Sequence, residues 1–147
     1  MKSSSPTLSL SLAAIAIWIM FVAQAQAGTA FDGGWAVTLN TPEYKDPTGV
    51  VSLAYTFQFP AQVKDGFLRG EHGTKGQPAW LEITGHIGAD GRAMLHVKGI
   101  TGRRDYNLAH VATGRPYEYD VKAQFTATKG NGSRIGGRLG YYTFVKE

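Results

Sequence analysis

From residue 35 onward, apolar residues fall at every second position through most of the chain, with polar residues between them. Trp35, Val37 and Leu39 form one such series, and Leu53, Tyr55, Phe57 and Phe59 form another. Leu81, Ile83 and Ile87 follow, then Ala93, Leu95 and Val97, then Tyr117, Tyr119, Val121, Ala123 and Phe125. A period of two puts alternate side chains on one face of a strand, so each series predicts a strand with one buried face. No comparable segment carries a helical period. Turn residues separate the series. Gly88-Ala89-Asp90-Gly91-Arg92 suits a three-residue hairpin loop with Gly91 in the left-handed conformation. That loop sets Ile87 opposite Ala93 and Ile83 opposite Val97, with Glu82 facing Lys98 on the other side. A slip of one residue would pair Ile83 with His96, so the hydrophobic pattern selects the first register. Lys64-Asp65-Gly66 predicts a second hairpin, between a short strand ending at Val63 and one starting at Phe67. Pro47-Thr48-Gly49 and Lys129-Gly130-Asn131-Gly132 predict further reversals.

About seven or eight antiparallel strands result, the last spanning roughly residues 138–145. So many strands in one open sheet would leave long unpaired edges, so the expected fold is all-β, a single antiparallel domain, with a barrel favoured over a sandwich.

Ahead of the first strand stands a different pattern. Lys2 is followed by an almost uncharged apolar run over residues 8–23, and Ala25-Gln26-Ala27 supplies the small-x-small sequence of a signal-peptidase site. Residues 1–27 therefore read as a signal peptide, and residues 28–147 as one all-β domain in the periplasm or outside the cell. The run is short for a membrane anchor, so no stable membrane insertion is expected after cleavage. Cysteine is absent, which excludes disulfides, thiolate nucleophiles and thiolate metal ligands. The formal net charge of +4 becomes +3 once Lys2 leaves with the leader. For an exported chain this mild excess points to acidic or envelope ligands and away from nucleic acid.

Two resemblances rest on short motifs. Gly33-Gly34-Trp35 with Arg138 on a late strand resembles the Gly-x-Trp opening and C-terminal arginine of calycin barrels such as lipocalins. That resemblance implies a tryptophan closing one barrel end with the arginine packed across it. Phe31-Asp32-Gly33-Gly34-Trp35, the stretch over residues 85–91 followed by Gly99-Ile100-Thr101-Gly102, Tyr117-Glu118-Tyr119 and Thr143-Phe144-Val145 together resemble a family of small exported proteobacterial proteins of unknown function. This second resemblance implies an exported β-rich domain and no particular activity. Some of that family carry a cysteine pair near the first and last strands, which this chain lacks.

Candidate chemistry is sparse. The predicted register puts His86 and His96 on one solvent face near Glu82, a conceivable two-histidine, one-carboxylate metal site, although no metal-binding spacing accompanies them. His72 and His110 fall in apparent loops. No Gly-x-Ser-x-Gly elbow is present, Ser52 and Ser133 stand in no motif, and Glu71 and Glu82 carry no sign of being a catalytic pair. The glycine-rich stretch over residues 129–137 lacks the ending and the strand-to-helix setting of a phosphate loop and reads as a mobile hairpin loop. No catalytic residue, metal or cofactor is expected, and the protein reads as a non-enzyme.

The strongest candidate surface joins Arg103, Arg104, Tyr106 and Arg115. Guanidinium groups interleaved with tyrosine suit carboxylate or phosphate recognition, and the connection over residues 101–114 is long for a hairpin. The expected function is binding of a small molecule or cell-envelope ligand at a barrel mouth. The alternative is a protein-interaction module, or an inhibitor of an exported hydrolase, acting through a loop or edge strand. A metal-dependent enzyme built on His86 and His96 is the third candidate. Whether the barrel interior is hollow or filled is undetermined at this level, because core and cavity-lining residues share one alternation.

Overall fold

The computed structural model describes residues 29–147; the leader expected at residues 1–27 lies outside them. Ten strands follow a short 3-10 turn at Thr29–Phe31: β1 (Gly33–Thr41), β2 (Tyr44–Lys45), β3 (Val51–Ser52), β4 (Tyr55–Lys64), β5 (Phe67–His72), β6 (Leu81–His86), β7 (Arg92–Ile100), β8 (Pro116–Phe125), β9 (Lys129–Arg134) and β10 (Tyr141–Lys146). Eight of them close an antiparallel barrel in the order β1-β10-β9-β8-β7-β6-β5-β4. The other two, β2 and β3, make a small ribbon in the long connection from β1 to β4. No helix among the described residues is long and apolar enough to cross a membrane, which leaves open any crossing by strands.

The expected registers hold. Ile83 pairs with Val97, Glu82 with Lys98, and Ile87 bridges Ala93. Gly91, at φ +80°, takes the left-handed position of that loop. Lys64 pairs with Phe67 around Asp65 and Gly66, both at positive φ, a two-residue turn whose twist matches the strands. At Pro47-Thr48-Gly49 the Asp46 carboxylate accepts from the Thr48 and Val50 amides and closes the ribbon.

Three expectations need correction. The Tyr55 series and the strand ending at Val63 are one strand, β4, running through Pro60. Its pairing with β5 ends at Ala61–Gly70, so Pro60 is paired only to β1 and its missing amide hydrogen breaks no ladder on the other side. Leu53 lies outside this strand and is exposed. Residues 129–134 are not a loop but strand β9, and the reversal sits earlier, between Thr126 and Lys129. The glycines of β9 are there for space. A Cβ on Gly130 would lie 2.6 Å from the Phe125 ring, and one on Gly132 would lie 2.9 Å from Val121. Finally, Arg138 belongs to the β9–β10 connection and not to the last strand.

An eight-stranded barrel has room for little beyond its own side chains. One end is filled. Trp35, Leu68, Ile83, Leu95, Val97 and Val121 are fully buried, with Phe59, Ala61, Ala93, Ala123 and Phe144 between them. Each large aliphatic or aromatic side chain so enclosed contributes about 1.5–3 kcal/mol relative to its exposed state. The motif Phe31-Asp32-Gly33-Gly34-Trp35 closes this end. Trp35 stands edge-on to Phe125 and donates Nε1–H to the Phe31 carbonyl at 2.8 Å, while Phe31 packs on Phe125 from outside. The Asp32 carboxylate accepts the Asp65 and Gly66 amides and ties the β4–β5 hairpin to the same plug.

Candidate functional site: the open end of the barrel

At the opposite end the inward positions change character. Tyr55 and Phe57 on β4, His72 on β5, and Tyr117 and Tyr119 on β8 continue the inward alternation, yet each is only half-buried. Inward-facing side chains that remain accessible mean that the interior opens here. The opening is a cavity of about 440 Å³, within the range of small-ligand pockets. Its walls include Tyr55, Phe57, Ile100 and Tyr117 from the strands, and Arg103, Tyr106 and Asn107 from the β7–β8 connection. The barrel is thus filled at one end and opens into this cavity at the other.

The β7–β8 connection folds over the rim as two single-turn 3-10 segments, Arg104–Tyr106 and Leu108–His110. Asn107 fixes their junction, donating from Nδ2 to the carbonyls of Gly102 and Val111. His110 does not stand free in a loop, since its Nε2 lies 2.7 Å from the Val51 carbonyl and must carry the proton there. Ser52 donates to the Asn107 carbonyl, and Leu53 donates its amide to Asp105. The rim loop and the β2–β3 ribbon are therefore sewn together.

Arg138 is the knot. Its side chain is 5% exposed and its guanidinium donates to four carbonyls, those of Pro42, Ser52, Leu53 and Tyr106. It also stands 5.5 Å from the centre of the Tyr55 ring. This position corrects the calycin-like expectation for the residue. Trp35 sits at the start of β1 and Pro42 just beyond its end, roughly 20 Å apart for a strand of this rise. The arginine therefore closes the loops of the open end and does not pack across the tryptophan. Burial, reinforced by the nearby charge of Arg134, holds its pKa below the ordinary value.

Deeper along β8, Tyr119 shares a 2.6 Å hydrogen bond with Tyr142, and the Tyr117 and Tyr119 rings lie parallel with centroids 6.0 Å apart. Burial pushes the Tyr119 phenol up to about 12 and pushes those of Tyr117 and Tyr142 higher still. All three are neutral at physiological pH and act here as amphipathic wall, able to donate hydrogen bonds but not to serve as bases. His72 stacks on Phe57 with centroids 3.9 Å apart, its Nδ1 3.0 Å from the Ala79 carbonyl. The expected loop histidine is an inward residue at the end of β5.

Of the four residues singled out in sequence, Arg103 and Tyr106 do line the cavity. Arg103 is held by Asp105 at 2.8 Å, with its guanidinium 5.5 Å from the Tyr106 ring centre. Arg104 points elsewhere, donating Nε–H to the His110 carbonyl, and Arg115 is exposed beyond the cavity, contributing its amide to Thr101. Tyr55 and Phe57 line it as well and are not marked by any motif. The available signal was an inward alternation that turns from aliphatic to tyrosine at one end of several strands.

The histidine pair does not converge. His96 turns to Asp120 at 2.8 Å and Glu118 at 3.2 Å on β8. His86 packs edge-on against Phe67, and Glu82 pairs with Arg69. Among the described residues no group of three potential ligands is placed to hold a metal.

The architecture is that of a closed antiparallel β-barrel with a one-ended cavity. No protein-family model matches the chain, and no curated protein or solved structure matches it.

Proposed function

We propose that the protein is a non-enzymatic, exported binding protein that takes a small, largely apolar ligand into the open end of its barrel. The observation that carries this reading is the set of inward side chains of Tyr55, Phe57 and Tyr117 left half-buried around about 440 Å³. Apolar surface held open inside a barrel costs free energy that a ligand returns, by about 25 cal/mol for each Å² covered. The rim supports the same reading, because Arg138 and Asn107 hold the cavity walls in place before any ligand arrives, which lowers the ordering cost of binding. The main sheet has no free edge, which weighs against capture of a partner strand.

The test is native mass spectrometry of the protein purified from its own host's cell envelope, before and after denaturation. A co-purifying small mass that denaturation releases is expected, and Ala54→Trp, which puts an indole at the cavity wall, should arrive without it. A mass retained unchanged by Ala54→Trp would place binding elsewhere and refute the reading.

A further inference from the structure

Of the guanidinium groups at the open end, Arg103 is balanced by Asp105, whereas among the described residues no acid pairs with Arg138 or Arg134. Arg138 has its donors committed to carbonyl oxygens. Arg134, the last residue of β9, is different. Its guanidinium lies 4.1 Å from the centre of the Tyr119 ring, and among the described residues nothing accepts a hydrogen bond from its buried Nε or pairs with its charge. A buried donor left unsatisfied costs about 1–3 kcal/mol, more when charged, and arginine's planar fork matches carboxylate, sulfonate or phosphate oxygens.

The loop above Arg134 is shaped to it. Gly137, at φ +64°, passes so close that a Cβ there would lie 2.9 Å from Nη2. Asp120, whose backbone carbonyl accepts from Ile135 beside Arg134, turns its carboxylate to His96 on the outer face, and Asp105 on the rim serves Arg103. Tyr119 and Arg134 stand behind the cavity wall: the Tyr119 ring lies parallel to that of the wall residue Tyr117, centroids 6.0 Å apart, and the Arg134 guanidinium is 4.1 Å from the Tyr119 ring, so a ligand with its apolar body against Tyr117 would turn its head group toward this cation.

We propose that the ligand of the open end is a small organic anion, an apolar body bearing one acidic group, and that Arg134 recognises the acid. The inference rests on the cavity being a binding pocket. Two fluorescent probes that differ in little but charge test it: 8-anilinonaphthalene-1-sulfonate and neutral N-phenyl-1-naphthylamine. The purified protein should bind the sulfonate about tenfold more tightly than the neutral dye, a factor in keeping with one charge-assisted contact. Arg134→Gln should erase that preference without weakening the neutral dye, and Arg134→Lys should restore part of it. The urea midpoint should fall little in Arg134→Gln, since among the described residues the native guanidinium has no hydrogen-bond or charge partner to lose beyond its contact with the Tyr119 ring. Displacement by 1-naphthoate or by decanoate would each support the proposal and would separate an aromatic from an acyl body. Equal affinity for the two dyes, or a preference that survives Arg134→Gln, overturns the proposal while leaving the pocket intact. If neither dye binds, or if Ala54→Trp binds both as well as the parent, the pocket reading itself fails.

Discussion

Replacing Arg138 by methionine keeps a stem of similar bulk and removes every donor that joins the β1–β2 connection, β3, the β4 entry and the rim loop. Pro42 and Leu53 are exposed, so water can take over at their carbonyls. Ser52 is 1% exposed and Tyr106 half-buried, so their carbonyls lose partners that water replaces poorly. Hydrogen bonds to a charged group contribute about 1.5–3 kcal/mol each. Two such losses, less part of the guanidinium's own desolvation cost, give a destabilisation of about 3 kcal/mol. For a domain of this size that is roughly 10–15 °C in Tm. Urea unfolding of the parent and of Arg138→Met measures the loss directly. Amide exchange locates it, because the Leu53 amide, bonded to the Asp105 carbonyl at 2.8 Å, should be released well ahead of the amides in β7 and β8. Arg138→Lys should recover less than half, since a compact ammonium cannot span four carbonyls. A loss under about 1 kcal/mol, or Leu53 exchanging only with the barrel, would refute the assignment of Arg138 as the tie of the open end.

Two further outcomes follow from the same contacts. Gly130→Ala should cost about 1–3 kcal/mol in urea unfolding, because its methyl group falls 2.6 Å from the Phe125 ring in a filled section of the barrel; a neutral result would mean that this end is looser than described. His96 should make stability fall with rising pH: its hydrogen bond to Asp120, with help from Glu118, raises its pKa above the ordinary 6.5. A raised folded-state pKa contributes stability in full below about 6.5 and loses it as pH climbs through the folded value. The decline in urea midpoint from pH 5.5 to pH 8.5 should therefore shrink in His96→Gln, and an unchanged pH profile would show that the pair contributes nothing.

Period-two alternation and the short turns were enough to specify an all-β chain, and the loop at Gly91 specified a register in which every inward residue of β6 and β7 is apolar or glycine. Those features are local: a one-residue slip would turn a whole apolar face to water, so the pattern admits one answer. The sequence also pointed to the long β7–β8 connection as the candidate site, and two of its residues, Arg103 and Tyr106, stand at the cavity. What alternation could not express is what lies opposite a residue across the barrel. The glycines of β9 look like turn punctuation until Phe125 and Val121 are seen to occupy the space where their side chains would be. Arg138 looks like part of the last strand until carbonyls nearly one hundred residues away in sequence converge on it, at a separation of 96 for Pro42. Tyr55 and Tyr117 follow the same alternation as fully buried Val37 and Val121, and only closure of the barrel decided which inward residues are packed and which face open space. Sequence alone set the period, the turns at Gly66 and Gly91 and the β6–β7 register because these depend on neighbours along the chain. The filled end, the cavity at the other end and an Arg134 without an acid partner among the described residues depend on distances across the barrel, which only the tertiary structure supplies.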